Sequence, residues 1–172
     1  VADIQDKGEG KNAVVTGSTS GIGLAYAKAL AAEGVNVCIN GFGEADAIEK
    51  ERAGIEKDFK VKARYSAANM MKPDEIAAMV KTAETELGKI DILVSNAGIQ
   101  HVAPVEDFPD DKWNAIIAIN LTASFHLAKA AVPGMKARKY GRIINMSSVS
   151  AQQGGGVFSK TPYSAAKAGI QG

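Results

Sequence analysis

The run Asn12-Ala-Val-Val-Thr16-Gly17-Ser-Thr-Ser-Gly21-Ile-Gly23-Leu24 sets the architecture of this 172-residue chain. A β-branched apolar segment stops at a string of small residues, and an Ala-rich stretch carrying Ile22, Ala25, Tyr26, Ala29 and Leu30 follows. Such a pattern predicts a buried strand, a tight turn and an amphipathic helix over Gly21–Glu33, closed by Gly34 where a left-handed cap is cheap. Small residues let the turn's backbone approach a phosphate, while the helix start offers unpaired N–H groups and the positive end of its dipole. The spacing is Gly-x-x-x-Gly-x-Gly rather than the common Gly-x-Gly-x-x-Gly. By itself it is also compatible with a merely flexible strand-to-helix turn.

The same alternation continues along the chain. Strands are predicted at Asn12–Thr16, Val35–Asn40, Val61–Ser66, Ile90–Ser95 and Arg142–Met146, with helices over Glu44–Asp58, Pro73–Leu87 and Asp110–Met135 and from Pro162 onward. Pro73 followed by Asp74 and Glu75 marks a helix start, since a proline and acidic groups suit the first turn. Gly154–Gly156 reads as a glycine-rich loop. Strands alternating with helices imply right-handed crossovers, and hence an α/β, Rossmann-type doubly wound parallel sheet with helices on both faces. No repeat or linker divides residues 1–172, so one dinucleotide-binding domain is expected.

Composition narrows the function classes. Twenty basic against nineteen acidic residues leave a net charge of +1, which supplies no electrostatic footprint for nucleic acid or an anionic membrane. No uninterrupted apolar run approaches the roughly 18 residues of a spanning helix. The start, with Asp3, Asp6, Lys7 and Glu9, lacks a leader's apolar core, and one cysteine makes no internal disulfide; a cytoplasmic setting is expected. Two histidines and a lone cysteine are too few for a structural zinc site, so no metal is expected.

Tyr163 and Lys167 stand four apart at a helix start, on one face. A free phenol is a poor base at neutral pH. An ammonium about 4 Å away is worth about 4 kcal/mol at an effective dielectric of 20, enough to make a phenolate useful for taking an alcohol proton. Ser148, one strand earlier, could hydrogen-bond the same substrate oxygen. Taken alone, the pair reads equally as an amphipathic helix start with a surface lysine. The second strand ends in Asn40-Gly-Phe-Gly43, without the acid that would ordinarily hold an adenosine ribose and without a cation for a 2′-phosphate. This favours NAD over NADP, with Asn40 or a backbone group on the ribose.

Together these motifs resemble the short-chain dehydrogenases/reductases. Thr16-Gly17-(x)3-Gly21-Ile22-Gly23 looks like that family's cofactor turn, and Ser95-Asn96-Ala97-Gly98 like its Asn-Asn-Ala-Gly motif. Asn120, a serine after the fifth strand and Tyr163-x-x-x-Lys167 complete the set. The resemblance implies Tyr163 as general base, Lys167 holding the nicotinamide ribose, Ser148 orienting the substrate oxygen and Asn120 supporting a water relay through Lys167. It also implies that Gly17, Thr19, Ser20, Gly21, Ile22, Gly23, Phe42, Asn69, Asn96, Ala97 and Gly98 bind the dinucleotide with Tyr163 and Lys167. The long helix, residues 110–135, resembles one that builds the family's tetramers, with Ile117, Leu121 and Phe125 as a second apolar face.

Several stretches, among them Ala97-Gly-Ile-Gln-His-Val-Ala-Pro-Val-Glu106 and Gly141-Arg-Ile-Ile-Asn145, resemble the family's hydroxybutyrate-oxidising branch. There, positions matching Gln100 and Lys160 help bind a small carboxylate. The implied activity is interconversion of a small hydroxy acid, D-3-hydroxybutyrate first, and its keto acid. Sugar or polyol oxidation, oxoacyl reduction and a non-catalytic dinucleotide-binding fragment remain as alternatives. Four positions depart from the pattern: Ser95 replaces the motif's first Asn, Asn69 an acid expected at the adenine, and Ser150 a histidine. Ser148 to Tyr163 spans 15 residues where about 13 is usual, which makes Ser150 the second candidate for the catalytic serine. The family domain runs to roughly 250 residues, so its C-terminal part is expected to be missing here and the sheet to have an uncovered edge. His101 and His126 are given structural roles, Cys38 a core position, and Met70-Met71 and Trp113 packing roles.

Overall fold

The computed structural model describes residues 8–155 and 160–172. Val1–Lys7, part of the start read for a leader, and Gly156 of the glycine loop lie outside the described residues. Five strands, β1 (Asn12–Val15), β2 (Asn36–Asn40), β3 (Ala63–Ser66), β4 (Ile92–Ser95) and β5 (Arg142–Asn145), form one parallel sheet in the order β3-β2-β1-β4-β5. Helices α1 (Gly21–Ala32), α2 (Ala45–Phe59) and α3 (Pro73–Leu87) connect the first four strands. The chain winds outward from β1 to β3 and then returns to the far side of β1. At that reversal the connections leaving β1 and β4 diverge and open a crevice at the strands' C-terminal ends.

Both faces are covered, which is why the strands read as continuous apolar runs rather than alternating ones. Val14, Cys38 and Leu93 point to the face where Ile76, Val80, Leu127 and Met135 pack. Their neighbours Ala13, Val15, Val37, Ile39 and Val94 point to the opposite face, against Ala27, Ala31 and Ile55. The β5 residues are all exposed at the sheet's open edge.

The long helix differs from its expected form. It comprises α4 (Asp110–Ile117), a wider π-helical turn at Ala118–Thr122, and α5 (Ala123–Arg138). It runs three residues past Met135 because Arg138 donates to the Ile90 carbonyl at 2.6 Å; Lys139 then turns left-handed and Tyr140 N–H closes on Met135 O at 3.1 Å. At 29 residues this helix is long and apolar enough to cross a membrane by length and composition, although Asn, Ser, Thr and Lys129 interrupt its apolar run. Its packing is nonetheless that of a core helix, with Ile116, Ala123, Leu127, Ala131 and Met135 buried. The second apolar face divides: Ile117 and Leu121 are half-buried on the side of α7 (Thr161–Gln171), and Phe125 is 61% exposed. Trp113 and Met71 are exposed and Met70 is buried; His101 stacks edge-on against Phe108. A short helix α6 (Ser150–Gln153) also occupies part of what reads as loop.

Cys38 lies in the core as expected, and burial, with Glu86 adding to it, pushes its thiol up to about 12. The native protein at pH 8 is therefore expected to resist a thiol reagent over hours, with one equivalent reacting promptly in denaturant; fast labelling of the native form would contradict the packing.

Candidate active site

Two loops separated by some 80 residues are bonded together where the crevice opens. Thr16, buried at the end of β1, accepts at Oγ1 from the N–H groups of Asn96 and Ala97, each at 3.1 Å, and donates to Val94 O at 3.3 Å. Asn96 returns its carboxamide N–H groups to the carbonyls of Thr16 and Gly17 at 3.0 and 3.1 Å. The glycines of the turn serve this closeness. A Cβ on Gly17 would fall 2.7 Å from Ala97 Cα, and one on Gly23 2.1 Å from Gly17 O. Around Gly21, at φ +56°, a Cβ would instead meet open space. Ser20 caps α1 without a side-chain bond, and no acidic residue occupies the first turn. The start of α1 thus keeps its N–H groups and positive dipole for an anion, which fits the pyrophosphate of a dinucleotide.

On one side of this turn lies a cavity of about 280 Å³ lined by Gly17, Thr19, Ser20, Asn40, Gly41, Phe42, Asn69, Asn96, Ala97 and Gly98, with Ile119 at its back. Its lining carries no charged side chain. Asn40 is not free to hold a ribose, as one sequence reading allowed. It is 1% exposed, donates to the carbonyls of Ser66 and Ala68 at 3.0 and 2.9 Å, and accepts from Gly17 N–H at 3.4 Å. Its carboxamide ties the ends of β1, β2 and β3 together. Asn69 turns its own side-chain oxygen onto Met71 N–H at 2.9 Å, while its N–H donates to Glu75, whose carboxyl is held below its usual range by that bond and by Lys72.

On the other side, Ile22, Tyr26, Asn96, Gly98, Ile99, Gln100, Met146, Ser147, Tyr163 and Lys167 line a second groove of about 350 Å³. Tyr163 and Lys167 come together on α7 as their spacing predicts, the ammonium 5.8 Å from the ring centroid. Lys167 is 4% exposed and donates to Met146 O at 2.6 Å; burial lowers its pKa from the usual 10.5. Ser147 donates to Lys167 O at 2.8 Å, fastening the β5 end to α7. A phenol, an ammonium and an amide thus converge beside a dinucleotide-shaped platform.

The model of the short chain dehydrogenase family matches residues 11–172. This chain belongs to that family. It is 53% identical over 168 residues to the D-beta-hydroxybutyrate dehydrogenase of Cupriavidus necator and 47% identical over 167 residues to that of Rhizobium meliloti. Those alignments cover 95% and 94% of this chain, which spans 62% of the length of each relative. Among solved structures, NAD+-bound xylitol dehydrogenase superimposes with a TM-score of 0.87 at 33% identity, over 95% of this chain and 62% of the other.

Set against the roles that the family resemblance implies, the structure sorts the residues into two groups. Ile22, Asn96, Gly98, Gln100, Tyr163 and Lys167 share the groove. Ser148, Ser150 and Lys160 do not line it. Ser148 Oγ accepts Ser150 N–H at 3.2 Å at the head of α6, and Lys160 caps α7 beside Gly155. The serine that lines the groove is Ser147, which the sequence reading passed over. Ser95 Oγ, at the place of the motif's first Asn, is buried with no partner among the described residues. Asn120 is buried in the π-helical turn and brackets Ile99, accepting its N–H at 2.8 Å and donating to its carbonyl at 2.9 Å. The carboxamide therefore positions the loop after β4.

Two measurements check these assignments. Asn120→Asp replaces the donor facing Ile99 O with a carboxylate, and urea unfolding at pH 7 should show a loss of about 2–3 kcal/mol. That loss should shrink as pH falls and the carboxyl regains a proton to donate. For Lys167, a lowered native pKa means the unfolded chain binds more protons between the native value and 10.5, so stability rises with pH across that window. The Tm of the native protein relative to Lys167→Met should increase from pH 7 to pH 10; a constant difference would show that the ammonium is not desolvated.

Proposed function

We propose that this chain carries the catalytic core of an NAD-dependent dehydrogenase that interconverts a small hydroxy acid, D-3-hydroxybutyrate first among them, and its keto acid. The single observation that supports it is the meeting of Tyr163, Lys167 and Gln100 in one groove that adjoins the glycine turn. The two bacterial relatives named above are D-beta-hydroxybutyrate dehydrogenases, enzymes of this kind. A bound dinucleotide would supply the two-electron acceptor for oxidation of the alcohol. Gly17, Thr19, Ser20 and the α1 start would hold its phosphates, and the uncharged cavity beside Phe42 and Asn69 its adenosine.

In this reading Tyr163 Oη takes the substrate's hydroxyl proton. The Lys167 ammonium stabilises the phenolate that Tyr163 must be before that transfer, which leaves the phenol neutral, and is itself held in place by Met146 O. Gln100 offers amide donors to a carboxylate, whose burial without partners would be costly. The family resemblance also assigns Ser148 and Lys160 to the substrate, although neither lines the groove. NAD is preferred to NADP because no cation among the lining residues faces a 2′-phosphate. Self-association through the outer face of the long helix, where Trp113 and Phe125 stay exposed, belongs to the same reading.

The amide and hydroxyl groups of Asn96, Gln100, Ser147 and Tyr163 in the groove also suit a sugar or polyol, so the decisive assay is a substrate panel with both cofactors. Turnover of D-3-hydroxybutyrate with NAD is expected; turnover of gluconate or a polyol alone would overturn the substrate. Tyr163→Phe should lower kcat by about two to four powers of ten, the range for losing a general base, with NAD affinity within a factor of two. Binding of NAD with no turnover, indifferent to Tyr163→Phe, would reveal a non-catalytic module.

A further inference from the structure

Gly41, Phe42 and Gly43 leave β2 and pass over the uncharged cavity where the adenosine ribose would lie. Two side-chain hydroxyls from opposite sides hold this segment. Tyr65, on edge strand β3, reaches across and donates to Gly41 O at 2.9 Å. Thr19, in the glycine turn, donates to Phe42 O at 3.1 Å. The segment is also sterically keyed to Thr19, since a Cβ on Gly41 would lie 2.5 Å from Thr19 Oγ1. An acidic residue at that point, the usual means of gripping a ribose diol, has no room there. Asn40 cannot substitute, because its carboxamide is committed to backbone groups of three strands' ends.

We infer that Tyr65 is a positioning residue for cofactor choice: with Thr19 it straps the Gly41–Gly43 backbone over the ribose pocket, so that main-chain groups in a fixed place, rather than a carboxylate, meet the 2′-hydroxyl. This rests on the NAD reading above. A pinned backbone leaves a hydroxyl its contacts but offers a phosphate no cation. Tyr65 itself lines neither the cofactor cavity nor the groove of Tyr163 and Lys167, so its effect passes through its bond to Gly41.

The test is calorimetric titration of NAD and NADP into the protein and its Tyr65→Phe variant, with steady-state kinetics alongside. Tyr65→Phe keeps the ring and deletes one neutral hydrogen bond, a change of about three- to tenfold in an equilibrium that depends on it. NAD should bind that much more weakly and its KM rise by the same factor, with kcat at saturation unchanged and NADP affinity unaltered or improved. The ratio of the two affinities is the telling quantity, since general loosening of the fold weakens both cofactors alike. Equal losses for NAD and NADP, or an NAD affinity within 1.5-fold of the parent, would overturn the strap while leaving the NAD reading intact. A parent protein that binds NADP more tightly than NAD would overturn that reading, and the strap with it.

Discussion

Thr16 holds two distant reversals of the chain in one place. Its hydroxyl receives the N–H groups of Asn96 and Ala97, and Asn96 answers with bonds to the carbonyls of Thr16 and Gly17. Each such bond contributes about 1 kcal/mol net, so the group matters against a domain stability of about 5–15 kcal/mol. Its larger effect is geometric. The turn after β1 leads to one face of the sheet and the loop after β4 to the other, so the crevice between them would be soft without this lock. Both cavities share Asn96 and Gly98, and a ligand spanning them would rest across the lock itself. The need for two backbones to touch here accounts for Gly17 and Gly23 more directly than does approach of a phosphate.

Charge is distributed along the crevice with the same economy. Helices α2, α3 and α4 begin with Asp46, with Asp74 and Glu75, and with Asp110 and Asp111, which answer their positive ends. Helices α1 and α7, the two whose starts border the site, carry no acid in the first turn. Their dipoles are left for something outside the chain, and in both cases the neighbouring space is the space proposed for an anionic dinucleotide or carboxylate. At the adenosine end no charged side chain lines the cavity, and at the catalytic end Lys167 is the cation present.

Much of this could be read from sequence because it rests on local rules. Continuous apolar runs mark strands covered on both faces, and a separation of four places Tyr163 and Lys167 together on any helix. What escaped depends on contacts made across the sheet. Asn40 ends a strand where a ribose-binding side chain is usual, yet Ser66 and Ala68 claim it from the neighbouring strand. Tyr65 alternates normally in β3, and only the parallel pairing of β2 with β3 brings its hydroxyl to Gly41. Three closely spaced serines, Ser147, Ser148 and Ser150, differ only in how the chain turns after β5. The widened turn at Asn120 is equally silent, because one extra residue within a helix barely disturbs an apolar period of 3.6.

Lys167 shows why a site of this kind is built around an unmet need. An ammonium has three N–H donors, and here a single carbonyl, that of Met146, accepts from it among the described residues. Almost complete burial removes the water that would otherwise serve the other two, and the lowered pKa expresses that shortage. A fold selected for stability alone would bury a methionine at this position. Ribose or substrate hydroxyls entering the groove would supply acceptors, restoring part of what burial took away and holding the ammonium charged beside Tyr163. The desolvation of Lys167 then favours a hydroxylated ligand in the groove, beside the phenol oxygen proposed to take the proton.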